Sequence, residues 1–140
     1  LHNLTKEKAQ NCLNCVYNHL KPSGKFLISS FIPHPSFLYR DNKKLYPATN
    51  FFYYKGKTCR ILEKNEYFVD SQINNLYWFL EKDGEISDTQ FTFSLRMYYP
   101  HEMDILLSKS GFKILEKIGD YDGSKMDEFS SMQIYLCEKQ

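Results

Sequence analysis

Near the start of the chain, apolar residues recur at the spacing of a helix. Between residues 5 and 20 they occupy positions i, i+3, i+4, i+7, i+8 and i+11, as Ala9, Cys12, Leu13, Val16, Tyr17 and Leu20. One continuous stripe of this kind is typical of an amphipathic helix with one buried face. Thr5 suits the N-cap, and Pro22-Ser23-Gly24 ends the helix and turns the chain. We therefore expect a helix over residues 5–20.

The next segment, residues 25–32, is mostly apolar and does not alternate. A short run of this kind predicts a strand buried on both faces, as in a parallel sheet with helices on each side. A helix, a tight turn and a buried strand make half of a βαβ unit. The strand that should precede the helix would lie before Leu1, which indicates that the chain is a fragment of a longer protein.

From residue 51 to residue 98 the pattern changes to alternation. Strands are predicted over 58–64, 72–82 and 85–98, and Asp83-Gly84 is a strong two-residue hairpin signal. In the last of these strands two sets of side chains face opposite ways, namely Phe91, Phe93, Leu95 and Met97 against Thr92, Ser94, Arg96 and Tyr98. The segment 51–98 therefore predicts an antiparallel meander with one apolar and one polar face, inserted in a single domain of residues 1–140.

A second helix and two more strands complete the pattern. Pro100 suits the first position of that helix, and Gly111 suits the residue just after its end. Residues 112–118 and 132–138 read as strands with a loop between them. The order of elements predicts an α/β fold.

Composition narrows the classes of function. A chain of 140 residues with 42% hydrophobic and 25% charged residues is typical of one globular domain. Its 18 basic and 17 acidic residues nearly cancel, which argues against a nucleic-acid partner. The apolar runs are far shorter than a membrane span needs, and no signal-peptide pattern is present. Aromatic residues make up 16% of the chain, enough for a core with some left for a pocket or an interface.

Four cysteines are too few and too unevenly spaced for a disulfide scaffold. Cys12 and Cys15 form a C-x-x-C pair, which can indicate zinc or redox chemistry, but no second ligand pair accompanies them. Because they lie in the helical pattern, we expect them to be core-helix residues, reduced and free of metal. Reduced thiols indicate a cytoplasmic location.

Acidic residues cluster in the last loop, as Asp120, Asp122, Asp127 and Glu128. Their spacing only partly matches a calcium-binding loop, and Glu128 falls one position early. The sequence favours a loop whose aspartates form local Asx turns, and we expect no metal site.

Four stretches, in their order and spacing, resemble one known family. They are His19-Leu20-Lys21-Pro22-Ser23-Gly24-Lys25-Phe26; Leu95-Arg96-Met97-Tyr98 with His101-Glu102 and Leu106-Leu107; Ser110-Gly111-Phe112; and Gly119-Asp120-Tyr121-Asp122-Gly123 with Gln133-Ile134-Tyr135-Leu136. Together they look like the C-terminal half of a class I S-adenosylmethionine-dependent methyltransferase. Ser23 departs from the glycine that is usual at its position in the family.

The resemblance implies the C-terminal part of a Rossmann-like sheet. Strands 25–32 and 112–118 would be parallel, strand 132–138 would run antiparallel between them, and the meander would form a substrate lid. The implied function is methyl transfer from S-adenosylmethionine to a small-molecule acceptor. The family's glycine-rich cofactor turn is not found among the six glycines, so the main cofactor-binding half would precede Leu1. The chain alone is therefore expected to be inactive.

The resemblance also implies site residues. His2 and Asn3 would follow the missing fourth strand and line the methionine end of the cofactor, although both would also suit a capping loop. Phe31, His34 and Tyr53 would line the acceptor pocket, or serve only in a turn and in packing.

Arg96 is the sharpest single candidate, because it lies on the polar side of its predicted strand. The resemblance implies that it holds an anionic group of the acceptor, and the alternative is an ion pair with an acid such as Glu102. No residue has the pattern of a dedicated catalytic group, because in-line methyl transfer depends mainly on alignment and desolvation.

Two other classes of function stay open. A fragment without its cofactor half would expose strand edges and the apolar stripe of the first helix. Two copies of it could then form a homodimer through these surfaces. The aromatic meander is also compatible with a small-ligand-binding module.

Overall fold

The computed structural model describes residues 1–140 and contains three helices and eight strands. In chain order these are α1 (Lys6–His19), β1 (Lys25–Phe31), α2 (Pro35–Leu38), β2 (Tyr46–Pro47), β3 (Phe52–Tyr54), β4 (Lys57–Phe68), β5 (Ile73–Lys82), β6 (Glu85–Arg96), α3 (Pro100–Lys109), β7 (Phe112–Ile118) and β8 (Met132–Lys139). They fall into two compact units. Unit 1 is Leu1–His34 with Arg96–Gln140, and unit 2 is Pro35–Leu95.

The two long helices of unit 1 begin and end where local signals predict. The Thr5 side chain accepts a hydrogen bond from the Lys8 backbone N–H at 3.3 Å and caps α1. At the start of α3 the Glu102 carboxylate accepts from the Tyr99 N–H at 3.1 Å. Gly111 follows α3 with φ of 87°, a conformation that favours glycine.

The sheet of unit 1 has the order β1-β8-β7, and β8 is antiparallel to both neighbours. β1 and β7 therefore run in the same direction, as the resemblance implied. Both helices contribute to one core with this sheet, where the residues exposed by 2% or less include Ala9, Leu13, Met103, Leu107, Phe112, Tyr135 and Cys137.

Two expectations about burial in unit 1 are wrong. β1 is not buried on both faces, because α1 and α3 pack into one common core and Leu27 on the other face is 59% exposed. Cys12 and Cys15 are exposed, since the buried part of α1 narrows to Ala9 and Leu13. The apolar stripe of α1 is accordingly covered at its centre instead of being open for association.

Unit 2 is an antiparallel sheet in which β4, β5 and β6 are neighbours and the short β2 and β3 pair with β4. The β5–β6 connection is the predicted Asp83-Gly84 turn, with positive φ at both residues. The meander is confirmed, and its strands β3 to β6 lie between Phe52 and Arg96, within the predicted segment 51–98. The unit begins at Pro35 because α2 and β2 both contact β4, and it ends at Leu95.

A buried polar network lies on the face of unit 2 that includes Trp78. Glu63 accepts from the Arg40 guanidinium at 2.9 Å and from the Trp78 Nε1–H at 2.7 Å. The Asn65 amide accepts from Arg40 and donates to Asn74 at 2.9 Å. The same face carries the contacts of Trp78 with Phe91 and Phe93, so it is not uniformly apolar. None of the three helices is long and apolar enough to cross a membrane.

Candidate functional site

His2 and Arg96 lie 94 residues apart in sequence and are joined by two hydrogen bonds in unit 1. The Arg96 N–H donates to the His2 carbonyl at 2.7 Å, and His2 Nδ1 lies 2.6 Å from the Arg96 carbonyl oxygen. The His2 ring stacks on Phe31 with centroids 4.1 Å apart. Three of the six predicted site residues are thus brought together, at the ends of β1 and β6.

Tyr98 completes this group, which we call the His2 cluster: His2, Phe31, Arg96 and Tyr98. The Tyr98 ring lies 5.8 Å from the His2 ring, and the Arg96 guanidinium lies 4.6 Å from its centroid. Tyr98 is 2% exposed. The cluster therefore has three aromatic rings and one cation in close contact.

Burial changes the acid–base properties of this cluster. Desolvation lowers the pKa of His2 below its ordinary 6.5, although the hydrogen bond to the Arg96 backbone acts in the opposite direction. Desolvation also raises the pKa of the Tyr98 hydroxyl, against the effect of the nearby Arg96 charge. At neutral pH the imidazole is therefore uncharged and the phenol keeps its proton.

Arg96 is paired inside the protein. Its Nη2 lies 3.5 Å from Oε1 of Glu102, and the two side chains are 13% and 24% exposed. This is the ion pair that the sequence left open as the alternative to an acceptor contact. The polar side predicted for Arg96 and Tyr98 is consequently not a wet face, because both side chains are largely covered.

A cleft of about 720 Å³ opens beside the cluster, between α1 and α3. Arg96, Tyr98 and Glu102 are among its polar lining residues, and Ile105 and Leu106 contribute apolar lining. A cavity that combines apolar walls with a few convergent polar groups is the usual form of a small-molecule site.

The structure does not bring the other three predicted residues into this cluster. Asn3 is exposed on the segment before α1, and His34 is exposed beyond the end of β1. Tyr53 belongs to unit 2, on β3, and is 78% exposed.

Gln133 supports the His2 cluster and was not predicted as a functional residue. Its side chain is fully buried and donates hydrogen bonds to the carbonyl oxygens of Phe31, at 3.1 Å, and Tyr98, at 2.6 Å. It thereby joins the end of β1 to the segment before α3. The signal in the sequence was a glutamine within an apolar strand, a position where a buried amide must find partners.

The remaining candidates for chemistry have local explanations. All four cysteines are free, and the structure contains no group of three or more His, Cys, Asp or Glu side chains placed to hold a metal. In the acidic loop, Asp122 accepts from the Ser124 N–H at 2.8 Å and Asp127 from the Phe129 N–H at 2.9 Å. The predicted Asx turns are confirmed.

No protein-family model matches the sequence, and no curated protein matches it significantly. Solved structures do match the fold. The methyltransferase CcbJ from Streptomyces caelestis is 17% identical, with a TM-score of 0.74 over 98% of this chain and 52% of that chain.

Two further solved structures also match the fold of this chain. An S-adenosylmethionine-dependent methyltransferase from Clostridium acetobutylicum is 19% identical, with a TM-score of 0.64 over 93% of this chain and 50% of that one. An amino pentose methyltransferase from Micromonospora echinaspora, involved in calicheamicin biosynthesis, is 13% identical, with a TM-score of 0.62 over 94% of this chain and 50% of that one. This chain spans about half the length of each. It therefore has the fold of about half of an S-adenosylmethionine-dependent methyltransferase, consistent with the C-terminal half that its motifs resemble.

Proposed function

We propose that the polypeptide carrying this chain transfers a methyl group from S-adenosylmethionine to a small-molecule acceptor. The observation that carries this proposal is the fold match over 98% of the chain to a methyltransferase. Because one neighbour is an amino pentose methyltransferase, we take a sugar-like acceptor with an amine or hydroxyl as the first class to test.

The chemistry of the His2 cluster fits the methyl-bearing end of the cofactor. When bound, S-adenosylmethionine supplies a methyl group on a positively charged sulfur. An uncharged imidazole and aromatic faces suit such a cation, and Glu102 offsets the charge of Arg96. His2 is accordingly proposed to line that end, and Asn3 is proposed with it from the resemblance alone. For the nucleotide end this chain offers no glycine-rich turn.

The residues of this chain are proposed to act by position and by excluding water. The stacked rings of His2 and Phe31 form a rigid apolar wall, which aligns reactants and keeps water away. Arg96 is the proposed anchor for an anionic group of the acceptor, which would replace Glu102 as the partner of its guanidinium. His34 and Tyr53 are further proposed acceptor contacts, supported by their exposure.

Arg96→Ala, in the polypeptide that carries this chain, tests the anchoring role. Loss of a charge-assisted bond to the acceptor should lower kcat/KM by roughly ten- to a hundredfold, and this loss of turnover should exceed the loss of stability seen in Tm. Glu102→Gln is the matched variant, because it removes the internal partner and leaves the guanidinium. If both variants lower Tm equally and kcat/KM per folded molecule equals the wild-type value, Arg96 is a structural residue only.

Cofactor binding by the isolated chain is a separate test. Without a glycine-rich turn, the 140-residue chain should bind S-adenosylmethionine weakly or not at all. Titration calorimetry measures this directly, and micromolar or tighter binding would contradict the expectation.

A second candidate function is association through β1. This strand lies at the edge of its sheet and Leu27 on it is 59% exposed, so its unpaired edge can accept another strand. If the isolated chain forms homodimers in this way, Leu27→Lys should shift its elution in size-exclusion chromatography to that of a monomer. A monomeric wild-type chain would remove this candidate.

A further inference from the structure

Two polar atoms on the aromatic rings of the His2 cluster are buried without a hydrogen-bond partner. They are Nε2 of His2 and the hydroxyl of Tyr98. Buried polar groups of folded proteins usually have a hydrogen-bond partner, so an unpaired one calls for an explanation. The centroids of the two rings lie 5.8 Å apart, and Tyr98 also lines the cleft between α1 and α3.

The hydrogen bonding of His2 determines which of its nitrogens carries the proton. Nδ1 lies 2.6 Å from the carbonyl oxygen of Arg96, and a carbonyl oxygen can only accept. Nδ1 must therefore carry the hydrogen, and in the uncharged ring Nε2 presents a lone pair. Tyr98 supplies the complementary group, because its hydroxyl is a donor as well as an acceptor. A ligand group that donates to Nε2 and either accepts from the Tyr98 hydroxyl or donates to it satisfies both atoms.

We propose that His2 is a catalytic residue that takes the proton of the acceptor's amine or hydroxyl through Nε2, while the Tyr98 hydroxyl holds the same acceptor atom. This inference rests on the proposed methyl transfer and adds to it a general base. The hydrogen bonds of a catalytic residue are often incomplete until the substrate is bound. Burial of His2 and Tyr98 in the absence of acceptor is therefore compatible with a catalytic role for His2.

A protonated amine can only donate hydrogen bonds, so the Tyr98 hydroxyl accepts one of its N–H groups while Nε2 of His2 accepts another. One N–H proton moves to Nε2, which converts the neutral imidazole to imidazolium. The freed nitrogen lone pair forms the bond to the methyl carbon, and the carbon–sulfur bond breaks with its electron pair left on sulfur. The imidazolium then returns its proton to solvent. A hydroxyl acceptor loses its single O–H proton to the same nitrogen.

The charged groups around His2 favour its uncharged form. Burial opposes protonation of His2, and Tyr98 remains protonated because its own pKa is raised. The Arg96 guanidinium is offset by Glu102 at 3.5 Å. His2 is therefore ready to accept a proton at neutral pH, and we expect activity to fall only below the ordinary histidine pKa.

A measurement on the isolated chain tests the base without any turnover. Nitrogen NMR of the histidine rings should show His2 with hydrogen on Nδ1 and a bare Nε2, and a titration midpoint below 6.5. His2→Gln assigns these signals by removing them, and His19→Gln on the exposed end of α1 should leave them unchanged. Hydrogen on Nε2, or a midpoint above the ordinary value, would overturn the inference.

Turnover by the polypeptide that carries this chain gives the second readout. His2→Gln should lower kcat by roughly 10²–10⁴-fold and abolish the acid limb of the pH profile, as loss of a general base does. Tyr98→Phe removes only the hydroxyl and should raise KM or lower kcat by about tenfold, while leaving the chain at least as stable. This variant keeps the test valid if His2→Gln fails to fold.

The outcomes separate the two proposals. If the wild-type polypeptide transfers no methyl group at any pH, the proposed function fails. If it is active and a folded His2→Gln variant keeps the wild-type rate and pH profile, methyl transfer stands and the proton-accepting role of His2 is wrong.

Discussion

Unit 1 and unit 2 bury different kinds of side chain. The core of unit 1 is made of close-packed apolar and aromatic residues, such as Leu13, Leu107 and Phe112, each exposed by 2% or less. The centre of unit 2 buries apolar residues such as Leu62 and Leu76, and together with them the polar Glu63 and Asn65. Packing therefore holds unit 1 together, whereas unit 2 depends in addition on the exact pairing of polar groups.

The two units differ in this way because different numbers of helices cover their sheets. Unit 1 places two long helices on its sheet, which covers one face fully. Unit 2 has a sheet and the four-residue α2, so large aromatic residues such as Phe51 and Tyr53 stay 61% and 78% exposed. Arg40 covers part of its sheet, with its guanidinium 4.6 Å from the rings of both Phe37 and Tyr46. A buried cation of this kind needs its carboxylate.

The largest effect is expected from Glu63→Ala in unit 2. It leaves Arg40 without its carboxylate and Trp78 without its acceptor, which should destabilise the unit by about 3–5 kcal/mol. Hydrogen exchange of the β4 and β5 amides measures this unit separately from the rest. Glu66→Ala, at an exposed position of the same strand, is the control and should change little.

A substitution in unit 1 tests whether close apolar packing stabilises that unit. Leu107 is fully buried on α3, and Leu107→Ala should lower the free energy of unfolding by about 2–5 kcal/mol through lost contacts and a cavity. Ile105 on the same helix is 53% exposed, so Ile105→Ala should cost well under half as much. Equal losses in the two variants would show that the core of unit 1 is not closely packed.

Substitution of two glycines of unit 1 distinguishes the cost of backbone strain from the cost of a steric clash. Gly111 and Gly123 have φ of 87° and 85°, but only at Gly111 would a new Cβ meet a neighbour, 2.7 Å from the Tyr17 ring. Gly123→Ala should cost about 1–2 kcal/mol from the backbone alone. Gly111→Ala should cost about 1–3 kcal/mol more. Denaturant unfolding of both variants measures the difference, and equal values would mean that Tyr17 moves aside freely.

The smallest expected effect is the dependence of stability on pH through His2. Since burial lowers the pKa of His2 in the folded chain below 6.5, the unfolded chain binds this proton more readily. Stability should therefore fall as the pH drops through 6.5 toward the lower folded value, and be fully present above it. His2→Gln should flatten this part of the curve. Asp83, Asp122 and Glu138, whose pKa values are also lowered, act only at more acidic pH.

Local signals in the sequence were sufficient to predict the elements. The stripe before Leu20, the Asp83-Gly84 turn and the Pro100 and Gly111 signals correspond to α1, the β5–β6 hairpin and α3. Their physical basis lies in backbone preferences and side-chain periodicity, which act over a few residues. The motifs also indicated the direction of β8 between β1 and β7, which the structure confirms.

Which residues are buried, and which meet, depended on the tertiary structure. In β8 the apolar Leu136 is only half-buried, whereas Gln133 is fully buried, because that side of the strand faces the helices and the His2 cluster. Arg96 lies in a predicted polar row, yet its contact with His2 spans 94 residues. Alternation divides a strand into two faces, but only the elements packed against it decide which face is dry and which distant groups share it.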